Sequence, residues 1–154
     1  MAYLFRVRGA YYENFMNMTR LLLSSVAGFV AYFVYGGVVT GIFLKKDYMP
    51  YIEVYRPAEQ IMKLFPLGML TTFIAILVFC IIYTQTLGVN TGWAAGSRFG
   101  ALIGTFMVFA HVAHNYVNLN IGPKLAIEMA IAELLQWTIV GLIIGVVYRP
   151  VISG

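Results

Sequence analysis

Long uncharged apolar runs alternate along this chain with short charged or turn-forming ends. No Asp, Glu, Lys or Arg occurs from Leu21 to Leu44, from Leu64 to Ser97, or from Phe99 to Pro123. Each run exceeds the ~20 residues that cross the hydrocarbon core of a bilayer as a helix. A fourth segment carries Glu128 and Glu133 early and is then uncharged to Tyr148. The pattern predicts an all-α fold, a bundle of four transmembrane helices over about 20–44, 64–87, 94–119 and 124–148, in a single domain covering 1–154. Lys45-Lys46-Asp47 ends the first span, and Tyr48 to Lys63 reads as the main loop. Within it, Pro57 before Ala58-Glu59-Gln60 reads as a helix start, with an acid near the positive end. Gly88 to Gly92 reads as a turn. Asn120-Ile121-Gly122-Pro123 is a tight reversal that makes spans three and four an antiparallel hairpin. Residues 1–18 mix Tyr3, Phe5, Tyr11, Tyr12 and Phe15 with Arg6 and Arg8, as suits a segment lying in the membrane interface.

Composition reinforces the pattern. The chain is 61% hydrophobic and 10% charged, against roughly 25% charged residues in a soluble domain. Four spans leave no length for a soluble catalytic domain. The first run is too long, and too far from the start, for a cleavable signal peptide. The formal charge of +4 sits on Lys and Arg at the ends of the runs, where they anchor to headgroups. With no basic patch among aromatics, nucleic acid is not an expected partner; the lipid bilayer is. Lys and Arg divide five and five between the two sides, so the charge rule gives no orientation. The Arg6/Arg8 cluster ahead of the first span favours cytoplasmic termini in a cell (inner) membrane. Cys80 is the sole cysteine and lies inside an apolar run, which excludes disulfides and thiolate metal sites.

Glycine has its own period. Gly88, Gly92, Gly96, Gly100 and Gly104 recur at every fourth position, and Gly37/Gly41 and Gly141/Gly145 repeat the spacing. Such grooves let helix backbones approach closely in lipid, where apolar burial gives little drive between helices. Gly96, Gly100, Gly104, Gly141 and Gly145 are the expected packing residues, either within the bundle or against another subunit.

The candidate chemistry follows the ladder. Extrapolated as an α-helix, span three places His111, Asn115 and Asn118 on the glycine face, with His114 about a sixth of a turn away. His111 and Glu133 each lie ~12–14 Å from the shared turn at 1.5 Å per residue, which matches their depths and permits a pairing. An intramembrane carboxylate is costly and normally partnered. The pairing fits a structural bond between the spans. It also fits a proton or ion path through His111, His114, Asn115, Asn118, Glu128 and Glu133. A metal site is not expected, since His-x-x-His with one buried acid is a thin ligand set. Haem or chlorophyll would need His111 or His114 as axial ligand, and a second subunit for a second axial ligand. No nucleophile elbow, phosphate loop or Cys–His pair is present, and Ser24, Ser25 and Ser97 lack a base, so no enzyme is expected.

Gly96-Ser-Arg-Phe-Gly-Ala-Leu-Ile-Gly104, together with Gly141-Leu-Ile-Ile-Gly-Val-Val-Tyr-Arg-Pro150, resembles small four-span bacterial integral membrane proteins of unknown function. The resemblance implies a bacterial cell membrane and a four-helix bundle, and carries over no activity and no site residue. The leading expectation is a non-enzymatic subunit that packs laterally, as a homo-oligomer or as an accessory subunit of a larger membrane complex. A small transporter or channel component using the His/Glu cluster comes next. A haem- or chlorophyll-binding subunit of an electron-transfer or photosynthetic complex is third.

Overall fold

The computed structural model describes residues 17–87 and 92–148. The interfacial segment expected over 1–18 falls almost wholly outside the described residues, as do Gly88 and Arg149. Every regular element among the described residues is helical. Four helices are long and apolar enough to cross a membrane: Met18–Phe43, Ala58–Thr86, Trp93–Asn118 and Pro123–Val147. The protein is an all-α, multi-pass membrane bundle.

Helix α1 (Met18–Val38) begins where the Asn17 side chain accepts from the Arg20 N–H at 3.0 Å, satisfying one of the free donors at a helix start. It continues as a π-turn over Val39–Phe43 that closes at Leu44. The expected loop is largely helical: α2 (Lys45–Tyr48) runs into a 3-10 turn over Met49–Val54, with Pro50 in its first positions. Helix α3 (Ala58–Leu87) starts six residues ahead of the uncharged run at Leu64. Its first turn is fixed by the Pro57 carbonyl, which accepts from Gln60 and Ile61 at 2.9 and 3.1 Å. A Glu59–Lys63 pair at 2.8 Å closes the next turn on the exposed surface. Helix α4 (Trp93–Met107) follows Gly92, whose φ of 125° is a conformation that L side chains rarely adopt. Span three goes on through a second π-turn, Val108–Ala113, into α5 (His114–Asn118). Helix α6 (Pro123–Val147) opens on proline, whose missing N–H costs nothing there.

The closest helix pair is α4 with α6. A Cβ built on Gly96 meets the Gly141 carbonyl and lies 2.9 Å from the Gly145 Cα; one on Gly141 lies 2.8 Å from the Gly100 Cα. A Cβ on Gly100 lies 3.0 Å from the Thr138 Cα. Gly96, Gly100, Gly104, Gly141 and Gly145 are all buried in this one contact. These faces are therefore turned inward. Gly37, Gly41 and Gly68 have open space around them. Span one leans on α6 where Gly28 admits Ile144: a Cβ built on Gly28 would lie 3.1 Å from the Ile144 side chain. Helix α3 buries residues in the bundle with its second half, through Ile76, Phe79, Cys80 and Tyr83; every residue from Ala58 to Thr71 is exposed, with the Phe65 ring meeting Phe33 of span one edge-on at 6.3 Å.

Two apolar clusters result. The larger joins Leu21, Ile76, Phe79, Phe99, Trp137, Val140 and Ile144 in the half of the bundle towards the termini. The smaller joins Leu44, Ile121 and Leu125, near the Lys45–Val54 segment.

Candidate functional site

Between the two clusters the packing opens. A groove of about 300 Å³ runs between span one and α6, with the π-turn of span three at its edge. Tyr32, Phe33, Gly36, Thr40 and Leu44 line it from the span-one side, and Tyr48 from α2. Met129, Ala132, Glu133 and Gln136 line it from α6, and His111 from span three. Both π-turns thus border the same opening. A π-turn carries an extra residue, leaves a ladder irregularity and is frequent at functional sites.

Glu133 is the acid of the groove. It lies ten residues into α6, about 15 Å along the helix axis, and is half-buried. One carboxylate oxygen accepts from the Trp137 indole N–H at 2.9 Å. That indole stacks on Phe79, with ring centroids 5.6 Å apart, and meets Tyr32 edge-on at 5.7 Å. The carboxylate is thereby tied to the rigid end of the larger core. Gln136, one turn further on, donates its amide N–H to the Tyr32 carbonyl at 3.0 Å, joining α6 to span one. Gly36 makes room for it, since a Cβ there would lie 3.1 Å from the Gln136 amide nitrogen.

The mouth on the loop side is tyrosine and salt bridge. Tyr48 packs edge-on against Tyr55 at 5.6 Å. Burial first, then the neighbouring Tyr55 and Glu133, push the Tyr48 hydroxyl up to about 12 from 10.0. Burial also raises Tyr55, whose hydroxyl is enclosed without a hydrogen-bond partner among the described residues. Asp47 takes Lys124 at 2.5 Å, and Lys124 also reaches Glu128 at 3.5 Å, so α2 is latched to the start of α6. A second, mostly apolar cavity of about 230 Å³ adjoins the groove across Thr40 and Tyr48, with Lys45, Met49, Ile52 and Tyr55 around it.

The candidate residues separate. His111 and Glu133 share the groove, but no hydrogen bond or ion pair joins them among the described residues. Asn118 donates to the His114 carbonyl at 2.8 Å within its own turn. Glu128 belongs to the Lys124 latch. His114, Asn115 and Asn118 do not line the groove. The physical reason is the π-turn: its extra residue rotates everything downstream by about 100° from an α-helical extrapolation. Val112, 3% exposed, takes the buried position that α-spacing gives to His111. Among the described residues no three of His, Cys, Asp and Glu converge as a metal ion would require. His111 and His114 are both exposed on span three, as an axial ligand for an external macrocycle would have to be.

Tyr32, Thr40, Tyr48 and Gln136 belong to the site but not to the expected cluster. Gln136 had a readable signal: it is a second polar residue one helical turn from Glu133, inside an apolar run. The tyrosines had none, being indistinguishable from packing aromatics in sequence. Compared with protein-family models, curated proteins and solved structures, the chain matches none.

Proposed function

We propose that the protein is a small transport component of a cell membrane, with Glu133 as the group that takes up a proton or monovalent cation inside the bilayer. One observation carries this: an intramembrane carboxylate faces an open groove of about 300 Å³ instead of being closed into the core. Acids at that depth are costly and mark ion and proton paths. Tyr32, Tyr48 and His111 supply further exchangeable protons along the same wall. Irregular backbone at membrane depth is tolerated where it lines a cavity, which accounts for two π-turns there. The groove lies in the half of the bundle away from the chain termini, so cytoplasmic termini make it accessible from the outer face.

The test is flux in proteoliposomes. Wild-type protein dissipates an imposed proton or sodium gradient. Glu133→Gln abolishes that flux while the protein still inserts and keeps its helix content. Equal flux from wild type and Glu133→Gln removes this function.

Lateral association has its own support in the exposed first half of α3 and the open Gly37/Gly41 face of span one. A packing subunit, alone or in a larger complex, would use these faces and not the ladder enclosed between α4 and α6. Native mass in mild detergent distinguishes it: a defined oligomer or a stoichiometric partner supports it, and a monomer opposes it.

A further inference from the structure

The groove has a definite charge and donor inventory. Among the described residues its lining holds one carboxylate, Glu133, and no lysine or arginine; Lys45 lines the adjoining cavity, across Thr40 and Tyr48. Trp137 engages one carboxylate oxygen, and no other donor among the described residues reaches the pair. The Gln136 N–H is committed to the Tyr32 carbonyl, which leaves its amide oxygen free to accept. The only formal charge on the lining is thus the Glu133 carboxylate, beside the free Gln136 oxygen, so the site favours a cation over an anion.

The wall composition narrows the cation. A bare inorganic ion gives up its hydration shell only for several converging oxygens, and among the described residues no three of His, Cys, Asp and Glu converge, so Glu133 is the one charged ligand on this wall. A weakly hydrated organic cation needs fewer. Its charge can rest against one carboxylate and against aromatic faces, while its body replaces lipid or water on an apolar wall. Tyr32, Phe33 and Tyr48 supply the rings, and Leu44, Met129 and Ala132 the apolar wall. The volume of about 300 Å³ lies at the low end of small-molecule sites.

Resting on the transport function proposed above, we infer that the groove binds a small organic ammonium ion, its charge set against Glu133 and its apolar body on the rings of Tyr32, Phe33 and Tyr48. Gln136 accepts from an N–H of the ion where it has one. Trp137 senses occupancy, because its indole N–H is shared with the carboxylate that the ligand neutralises.

Trp137 also provides the assay. The chain has two tryptophans, Trp93 and Trp137, so a Trp93→Phe protein in phosphatidylcholine nanodiscs reports on the groove alone. The probes are phenyltrimethylammonium, its neutral isostere tert-butylbenzene, and benzenesulfonate, at matched ionic strength. The expected result is a saturable change in Trp137 emission with the ammonium and none with the anion. Glu133→Gln, which can still accept from the indole, weakens the response about tenfold or more. Tyr32→Leu, a second variant that keeps the carboxylate, weakens it several-fold. No saturable response, an equal response to benzenesulfonate or tert-butylbenzene, or affinity unchanged in both variants overturns the inference. Glu133-dependent proton or sodium flux without an ammonium response refutes the ligand class and leaves the transport function. Glu133-dependent ammonium binding without flux of any ion leaves the ligand class and refutes transport.

Discussion

Replacing Gly141 by alanine sets one methyl group against backbone that has no flexible end to move. The new Cβ meets the Gly96 carbonyl and lies 2.8 Å from the Gly100 Cα and 2.9 Å from its nitrogen. Ordinary contact begins near 3.4 Å, so α4 and α6 must separate by about 0.6 Å or more at this point. A radial gap of ~0.5–1 Å forfeits a quarter to a half of the dispersion energy of each atom pair facing it. Lost packing is the main loss available between helices in lipid. Overpacking of this kind costs about 1–3 kcal/mol. Alanine returns up to about 1 kcal/mol of helix propensity, so a net loss of up to about 2 kcal/mol is expected, or about 1–3 kcal/mol relative to an alanine that meets nothing. Gly41→Ala is the control: nothing lies within 4 Å of its added Cβ, and it is expected to be neutral or stabilising by up to about 1 kcal/mol. Cys80 makes the assay direct. It is the sole cysteine and 0% exposed, so maleimide labelling during a dodecyl sulfate titration follows unfolding of the core. Equal midpoints for the two variants would refute the close approach of α4 and α6.

Gln136→Leu removes the bond from α6 to the Tyr32 carbonyl and is expected to cost about 0.5–2 kcal/mol in the same titration. An unchanged midpoint would show that this bond does not hold span one. Tyr48 gives a pH dependence whose sign is fixed by its raised value. Its proton leaves near 10.0 in the unfolded chain and at about 12 in the folded one. Its contribution to stability is thus complete below pH 10 and lost as pH rises from there towards 12. Thermal midpoints measured by circular dichroism from pH 9 to 12 should fall less steeply in Tyr48→Phe than in wild type; parallel curves would remove Tyr48 from the account.

The spans were legible because lipid imposes length and apolarity on them, leaving uncharged runs from Leu21 to Leu44 and from Phe99 to Pro123 that little else explains. The start of α3 was harder to place, since Glu59 and Lys63 make an exposed polar turn that apolarity does not mark. The acid of the groove was also legible: Glu133 stands out in an apolar helix. Its surroundings were not. Helical spacing carried along span three gives the buried position to His111, and the Val108–Ala113 π-turn moves it to Val112. Nothing in Val-Phe-Ala-His-Val-Ala announces that extra residue. Tyr48 reaches the groove only because a segment resembling a polar loop winds into α2 and is held by Asp47 and Lys124. A pattern reports which residues share a helix, but not where a helix changes its pitch.

Water in the groove is the requirement on which both transport and ligand binding depend. Thr40 lines the groove, whereas Val34, 62% exposed, does not line it. Single cysteines at these two positions, in a Cys80→Ser protein in sealed proteoliposomes, are exposed to a membrane-impermeant cationic methanethiosulfonate and to its anionic counterpart. Thr40→Cys is expected to react, faster with the cationic reagent, and Val34→Cys to stay unreactive. A Thr40→Cys protein as inert as Val34→Cys would mean that lipid fills the groove, and Glu133 would then be a structural acid.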